Sequence, residues 1–549
     1  MTRTGGQILV DALIINGVDT IFGVPGESYL AALDALHERR NAVKYVTMRQ
    51  EGGAALAAAA FSDLTGRPGV CFVTRGPGVC NASIAIHTAW QGSTPLILLI
   101  GQIKREHRDR DAFQEIDYRR FLDHTVKWVA EVDDAARLPE YINRAFRTAM
   151  SGRPGPVALA LPEDMLFDLA EVEDLPPVPR LVQPPAPQDL HQIVSMLEKA
   201  ERPLLLLGGT GWTEEGHRAA IRFAEAHGLP VAVAFRRQGL FPGDHPNAVG
   251  NLGFGGIPEP NEYAASADLI LALGARLNDP TTLKFNVIKA PSPEGRLVHV
   301  HPDPTELGRL YQPDLAIAAD PSTTAIALAD LPVGKRHEAA LQEAREAYLK
   351  ARSLGPQPGP IDMAEVMRVM NERLPVDTSI TTGAGNASDW PNIHFNCRQF
   401  LGAAGPISGA MGMGVPAAIA AKCARPASPA VYMGGDGDFL MNGQEIATAV
   451  QCGLNPIFVI VDNEKYGTIR GNQEARYPGR PLGTDLKSPE FAAVAKGYGA
   501  LGFDIRSTDE FAPALDAALN SGRAAVIHLR VGPDHLGPNH TLSGGHEAP

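Results

Sequence analysis

Two oxygen-bearing side chains, Asp436 and Asn463, lie 27 residues apart in the segment GDGDFLMNGQEIATAVQCGLNPIFVIVDNEKYG, from Gly435 to Gly467. Mg²⁺ takes octahedral oxygen ligands, often one or two carboxylates together with the phosphates of a ligand. Asp436 offers a carboxylate, Asn463 an amide oxygen, and a backbone carbonyl just beyond offers a third donor. The glycines let the backbone approach a diphosphate. GDG alone reads more readily as a tight turn that happens to contain an aspartate, and the spacing shifts the balance. Val431–Met433 reads as a strand running into Gly434–Gly437, Gly443–Cys452 as a helix, and Ile457–Val461 as a second strand ending at Asp462-Asn463. Both candidate ligands then sit at the C-terminal ends of two strands of one βαβ unit, where open α/β sheets bind ligands.

The elements that must position these residues recur along the chain. Val70–Thr74 reads as a buried strand, RGPG (Arg75–Gly78) as a turn, Asn81–Trp90 as a helix and Pro95–Ile100 as the next strand. Strand, turn, helix and strand at this spacing predict βαβ units and a parallel sheet. Similar strands are expected at Pro203–Gly208, Leu229–Ala234, Leu269–Gly274, Leu297–His301, Ala430–Met433, Pro456–Asp462 and Ala524–Arg530. Two proline-rich stretches, LPPVPRLVQPPAPQ (Leu175–Gln188) and LGPQPGPI (Leu354–Ile361), favour extended linkers. The 549 residues exceed one ordinary core. Three consecutive α/β domains with parallel sheets are predicted, over 1–170, 188–332 and 360–549. A divergent duplication relating the first and third is compatible with the sequence and not proved by it.

The Gly435–Gly467 segment resembles the diphosphate-binding signature of the thiamine-diphosphate enzymes related to acetolactate synthase, pyruvate decarboxylase and benzoylformate decarboxylase. That pattern is GDG, a gap of this length, then Asn-Asn; here Asp462 replaces the first Asn and Asn463 keeps the second. The resemblance implies Mg²⁺ held by Asp436, Asn463 and the Lys465 carbonyl, with Gly435, Gly437, Asp438, Tyr466 and Gly467 around the cofactor. Thiamine diphosphate reacts once its thiazolium C2 loses a proton, which a carboxyl group bonded to the aminopyrimidine promotes. RQEGGAALAAAAFSDLTGRPGVCFVTRGPG resembles the family's first-domain motif with Glu51 in that role, although a glutamate before a helix is by itself more often a dipole-favoured charge. Pro25-Gly26-Glu27 resembles the loop facing the thiazolium, and Ala112-Phe113-Gln114-Glu115 the AFQE segment of acetolactate synthases; Glu27 and Gln114 are the further catalytic candidates. TGAGN (Thr382–Asn386) resembles a diphosphate loop, giving Gly385 and Asn386. Gly409-Ala410-Met411 resembles the pyrimidine-holding stretch, with the Gly409 carbonyl on the 4′-amino group and Met411 as the wedge, a residue whose type alone indicates core packing.

The same resemblance implies a pyrimidine-binding first domain, a Rossmann-like middle domain, a diphosphate-binding third domain, and active sites shared between subunits of a homodimer or homotetramer. The expected reaction is decarboxylation of a 2-oxo acid followed by carboligation, with simple 2-oxo-acid decarboxylation as the alternative and a cofactor-binding protein without turnover weighed against by Glu51, Asp436 and Asn463. Glu27 departs from the small residue typical of acetolactate synthases. FAD is left open, because Arg236-Arg237-Gln238 departs from the flavin-binding pattern; the two arginines read either as a solvated turn or as facing a nucleotide. Where biosynthetic acetolactate synthases carry a Trp that shapes the pocket for 2-oxobutyrate, the matching residue is Asn472.

Composition narrows the remaining classes. A net charge of -13 without a basic block is unsuited to nucleic acid. Five cysteines (Cys71, Cys80, Cys397, Cys423, Cys452) with no CxxC pair indicate neither a disulfide framework nor a zinc site, and read as small buried thiols. The N-terminus does not read as a signal peptide and apolar runs such as Leu96–Ile100 are far short of a membrane span. A soluble cytoplasmic protein is expected, with no nucleic-acid or membrane partner. His87 and His124 read as structural or surface residues.

Overall fold

The computed structural model describes residues 2–357, 359–538 and 540–541, the last two by backbone alone. Met1, Pro358 and positions 539 and 542–549 of the expected first domain, second linker and third domain lie outside the described residues.

Three six-stranded sheets follow one another along the chain, all parallel. In the first, the strands lie in the order Lys44–Thr47, Thr20–Gly23, Gly69–Thr74, Leu96–Gln102, Pro156–Pro162, Trp128–Glu131. In the third they lie in the order Ala403–Ala404, Ser379–Thr382, Ala430–Gly435, Ile457–Asp462, Ala525–Arg530, Leu501–Ile505. Numbered within each domain, both read 2-1-3-4-6-5. Each therefore reverses direction between its first and third strands, the switch point at which open α/β sheets bind ligands. This shared order supports a duplication. The middle sheet differs: Ala248–Asn251, Val231–Val233, Pro203–Leu207, Leu269–Leu273, Arg296–His301, Leu315–Ala318, or 3-2-1-4-5-6.

The strands read as continuous β-branched and leucine runs because helices cover both faces. Ile97–Ile100 and Leu204–Leu207 are fully or almost fully buried. The first and third domains share one core. Helix Glu51–Thr65, with its Ala54–Ala60 run, packs on Gly414–Ala424, with Ala417, Ala418, Ala420 and Ala421 buried in the same cluster. Alanine and glycine at this seam let two helix backbones approach closely.

Local differences from the sequence reading have simple causes. Arg75–Gly78 is the first turn of helix Arg75–Gly92 and not a separate turn, because Pro77 near a helix start loses no intrahelical hydrogen bond. Gly434–Gly437 is likewise no turn. The strand runs to Gly435 and helix Asp436–Asn442 begins at the aspartate, so the expected helix is split into a 3₁₀ turn, Gly443–Glu445, and a helix, Ile446–Gln451. Residues 172–186 of the first linker carry no regular structure, and Glu338–Arg352 adds a helix to the middle domain beyond residue 332, against Pro258–Ser266 and Ala248–Asn251.

Candidate active site

Four adjacent strands of the third sheet deliver every candidate ligand residue from their C-terminal ends. Ala403–Ala404 leads to Gly409–Met411, Ser379–Thr382 to Gly385 and Asn386, Ala430–Gly435 to Asp436–Asp438, and Ile457–Asp462 to Asn463–Gly467.

Asp436 is 1% exposed and faces Asp462, 4% exposed, through Ser488, whose hydroxyl lies 3.1 Å from Asp436 Oδ2 and 2.8 Å from Asp462 Oδ1. One hydroxyl proton cannot satisfy two carboxylates. Burial and the nearby Asp462 carboxylate push the Asp436 carboxyl above its ordinary range. Against burial, hydrogen bonds from His528 (Nε2 2.7 Å from Asp462 Oδ2) and Ser488 hold Asp462 below the ordinary range. The Asn-to-Asp departure is thus matched by a histidine on the next strand, fully buried opposite Ile460. Asn463 Oδ1 accepts the Lys465 N–H at 3.1 Å, and Nδ2 donates to the His535 carbonyl at 2.7 Å. Between the two candidate ligands Glu464 has φ 54, a left-handed conformation that a non-glycine side chain adopts at a cost. Among the described residues no group of three or more His, Cys, Asp or Glu side chains forms a metal site. One carboxylate, one amide and one carbonyl instead leave coordination positions for phosphate and water, as Mg²⁺ prefers.

Asp438 is bonded to two neighbouring loops and to a buried tyrosine. Its buried Oδ1 accepts the N–H groups of Ala384 and Gly412, both at 2.9 Å, and Oδ2 accepts the Tyr432 hydroxyl at 2.7 Å. It fastens the Gly385–Asn386 loop and the Gly409–Met411 stretch to one helix. Gly385 has φ 98 and Gly409 φ 70, so both turns need glycine. A Cβ on Gly437 would lie 2.5 Å from the Tyr466 ring. That glycine admits the ring, and Tyr466 packs on the motif. Thr468, in the helix opened by Gly467, accepts the Asn386 N–H (3.1 Å) and donates to its side chain (2.7 Å). Met411 is 36% exposed, outside the core.

The first sheet builds a second half in the same way. Glu51 opens its helix and accepts a 2.8 Å hydrogen bond from Asn81 Nδ2. Pro25 and Glu27 are exposed in the turn after Thr20–Gly23, with Gly26 against Thr74. Gln114, at φ 68, turns its carbonyl to the Gly76 N–H at 3.0 Å, and Phe113 beside it is 77% exposed. Among the described residues no hydrogen bond or ion pair joins Glu51, Glu27 or Gln114 to Asp436, Asn463 or Lys465.

Domain families described as the N-terminal TPP binding, central, and C-terminal TPP binding domains of thiamine pyrophosphate enzymes match residues 3–121, 190–328 and 383–529. The chain belongs to the thiamine pyrophosphate enzymes. It is similar to the acetolactate synthase large subunit of Parasynechococcus marenigrum, 34% identical over 96% of this chain and 88% of that protein. The isozyme 2 large subunit of Escherichia coli is 31% identical over 96% and 95%, and the chloroplastic acetolactate synthase 2 of Zea mays 32% over 96% and 85%. Within this thiamine pyrophosphate enzyme the remaining sequence readings fare unevenly. Arg236 and Arg237 do not form a solvated turn; both are tied to neighbouring domains, and Arg237 also lines a cavity of about 290 Å³. Arg236, buried at φ 57, donates to the Gly383 carbonyl; Arg237 pairs with Asp63 at 3.2 Å and the Gly92 carbonyl at 2.7 Å. His87 and His124 are exposed. All five cysteines are free, but Cys80 is exposed and only Cys71 and Cys397 are fully buried. No helix among the described residues is long and apolar enough to cross a membrane.

Sequence reasoning missed Ser488, His528, Thr468 and Glu445. His528 carried a signal, a lone polar residue in the apolar run AAVIHL, and so did Glu445, the one acid of NGQEIATAV.

Proposed function

We propose that the protein decarboxylates a 2-oxo acid such as pyruvate and joins the remaining fragment to a second carbonyl compound, as an acetolactate synthase does. The observation that carries this reading is likeness to acetolactate synthase large subunits along 96% of the chain, with both half-sites intact. Bound thiamine diphosphate supplies a carbon acid whose conjugate base adds to a 2-oxo carbonyl and accepts the electrons that decarboxylation leaves. The residues fit it. The switch-point loops of Gly385–Asn386, Gly435–Gly437 and Gly467 bracket the diphosphate, Asp438 fixes two of the loops, and the Gly409 carbonyl and Met411 hold the pyrimidine end. Asp436, Asn463 and the Lys465 carbonyl hold Mg²⁺, which relieves the Asp436–Asp462 repulsion. Glu51 holds the proton that favours the reactive pyrimidine tautomer. Glu27 and Gln114 line the substrate side.

The site is shared between two copies of the chain, in a homodimer or a tetramer of such pairs. Each half carries exposed apolar side chains on the elements that bear its candidate residues: Leu30 just after Glu27, Ile84 on the helix of Asn81 and Phe113 next to Gln114, and in the other half Met411 itself with Leu440 and Met441 on the helix that Asp436 opens. Such exposure marks surfaces that a partner covers. The five free cysteines fit the cytoplasm.

FAD has no role in this reading. The middle sheet has a dinucleotide-binding strand order, yet the helix after its first strand opens with Glu214 and Glu215. Two carboxylates stand where a pyrophosphate seeks a positive helix end. The Trp212 indole closes the preceding turn by donating to the Gly208 carbonyl at 2.8 Å.

The test is purified protein with thiamine diphosphate, Mg²⁺ and a panel of 2-oxo acids, measuring CO₂ and products. A longer hydroxyketone is expected. Aldehyde as the sole product would place the enzyme among the simple decarboxylases, and absence of CO₂ release from any 2-oxo acid would overturn the reading.

A further inference from the structure

Glu445 is a fully buried carboxylate that belongs to the diphosphate-binding domain yet is bonded chiefly to the other end of the chain. Its Oε1 accepts the backbone N–H of Arg49 at 3.0 Å and of Gln50 at 3.1 Å, and Oε2 accepts the Arg49 N–H at 3.1 Å and the Thr448 hydroxyl. These are the two peptide groups that lead into Glu51. A Cβ on Gly53 would lie 2.8 Å from Glu445 Oε1, so the first turn of the Glu51 helix is seated directly on this carboxylate. Arg49 adds a second hold, donating to the Ala447 carbonyl at 3.3 Å and to Gln451 Oε1 at 2.6 Å. The strand before Glu51 ends at Thr47, so residues 49 and 50 have left the sheet and Glu445 supplies the acceptor the ladder no longer provides.

We propose that Glu445 is a positioning residue for Glu51, fixing the peptide that aims the catalytic carboxyl at the pyrimidine. The inference rests on the reading of Glu51 as the activating acid. Burying a carboxylate is costly unless it is fully hydrogen-bonded, and burial pushes the Glu445 carboxyl above its ordinary range. An apolar side chain would pack here at lower cost, but it would orphan two N–H groups beside the catalytic residue. Glu445 also follows Asp436 by only nine residues. The intervening Asn442 donates to the Gly412 carbonyl at 2.8 Å, in the stretch next to Met411. In a shared-site dimer one chain thus links the pyrimidine stretch of one site to the acid of the other.

The experiment compares wild type with Glu445→Gln, Glu445→Ala and Glu51→Gln. Amide hydrogen exchange across residues 47–52 is read in the cofactor-free protein, and C2–H/D exchange of bound thiamine diphosphate is read by NMR. A carboxamide oxygen still accepts one N–H, so Glu445→Gln retains the fold and part of the protection. Glu445→Ala is expected to expose amides 49 and 50 and to slow C2 exchange by about 10²-fold, the loss typical of a 1 Å misplacement, with cofactor affinity unchanged; Glu445→Gln falls between. If Glu445→Ala does not fold, the comparison of Glu445→Gln with wild type decides alone. C2 exchange lost in Glu51→Gln but unchanged in the Glu445 variants overturns the positioning role only. C2 exchange unchanged in Glu51→Gln overturns the reading of Glu51 itself.

Discussion

Asp438→Ala and Asp438→Asn separate a residue that touches the cofactor from one that holds the loops around it. The alanine strands three buried donors, the N–H groups of Ala384 and Gly412 and the Tyr432 hydroxyl. Each orphaned buried donor costs about 1–3 kcal/mol, so the loss is at least ~3 kcal/mol. For a domain of this size 1 kcal/mol moves the melting temperature by about 2–4 °C, giving a drop of at least ~6–12 °C. The asparagine behaves differently because both N–H groups converge on Oδ1. A carboxamide oxygen there keeps both, and the Tyr432 hydroxyl accepts from the new NH₂, leaving its own buried proton as the one orphaned donor. The cost is that of a single orphan, about 1–3 kcal/mol. Calorimetric melting of cofactor-free protein at fixed concentration, with titration of thiamine diphosphate and Mg²⁺, reads both quantities. Asp438→Ala should melt early and bind cofactor poorly, whereas Asp438→Asn should lose about a third as much stability and keep most of its cofactor affinity. Equal loss of cofactor affinity in the two variants, with cofactor-free melting unchanged, would refute the positioning account and return Asp438 to direct contact.

The remaining expectations concern the metal, pH and acceptor choice. Asp436→Ala should weaken Mg²⁺ and thiamine diphosphate together, since in the proposed site the ion would tie the diphosphate to the protein through Asp436, and unchanged affinity by calorimetry removes its ligand role. Mixed with inactive Glu51→Gln subunits, it should recover activity through hybrid dimers that hold one intact site; no recovery after proven subunit exchange counts against sharing. Burial holds His299, His394 and His535 down, to about 4, 3 and 4, from an ordinary 6.5. At these three sites the unfolded chain binds more protons below pH 6.5, so their contribution to stability is present above that pH and is lost from there toward pH 4; a pH dependence of melting left unchanged when the three are replaced by glutamine contradicts it. Asn472 is exposed, Tyr466 is committed to Gly437 and Tyr477 is exposed, so none of these three offers a larger acceptor the wall of a packed indole. Selection of 2-oxobutyrate over pyruvate, worth about 1–3 kcal/mol per methylene in a tailored pocket, should be weak. Strong selection in a competition assay, or FAD purifying with the protein, would show otherwise.

The sheets were legible because buried parallel strands are continuous apolar runs, and Leu96–Ile100 or Ile457–Val461 cannot be read otherwise. Helix starts were less so. Arg75-Gly76-Pro77-Gly78 and Gly434-Gly435-Asp436-Gly437 both look like turns, and only the tertiary context of a strand end feeding a helix makes them helical. Asp436 and Asn463 were readable from spacing, since a βαβ unit fixes both at one sheet edge. The bonds of Asp438 were not legible because a motif position carries residue type but not direction, and its partners are loops 26 and 54 residues away in sequence. Arg236 and Arg237 were unreadable for a related reason: charge pairs predict a solvated surface, and their partners Gly383, Asp63 and Gly92 lie in other domains. The match of Asp462 with His528 spans two strands, so neither residue signals it alone.

The equivalence of the two outer sheets explains why the half-sites have matching anatomy and different chemistry. Counted by strand, Glu51 follows the second strand of its domain as Gly409–Met411 follow the second strand of theirs. Pro25–Glu27 correspond in this way to Gly385–Asn386, the Arg75–Gly92 helix to the Asp436–Asn442 helix, and Gln114 to Asn463. At the third strand both domains turn directly from strand into helix. One places Asp436 there, and the other Arg75, whose guanidinium is paired with Glu163 at 2.8 Å. A cation at that position repels Mg²⁺ and, with its charge already committed, offers a diphosphate little. The first domain therefore keeps the architecture of a diphosphate cradle without its chemistry, and its candidate catalytic carboxylate is one strand over at Glu51. Within one chain these two edges are held by the alanine-rich seam of Glu51–Thr65 and Gly414–Ala424 and by the bonds of Glu445, and no polar contact links Glu51 to Asp436. In the proposed reading a second copy would complete the site, its cradle facing the Glu51 edge of the first.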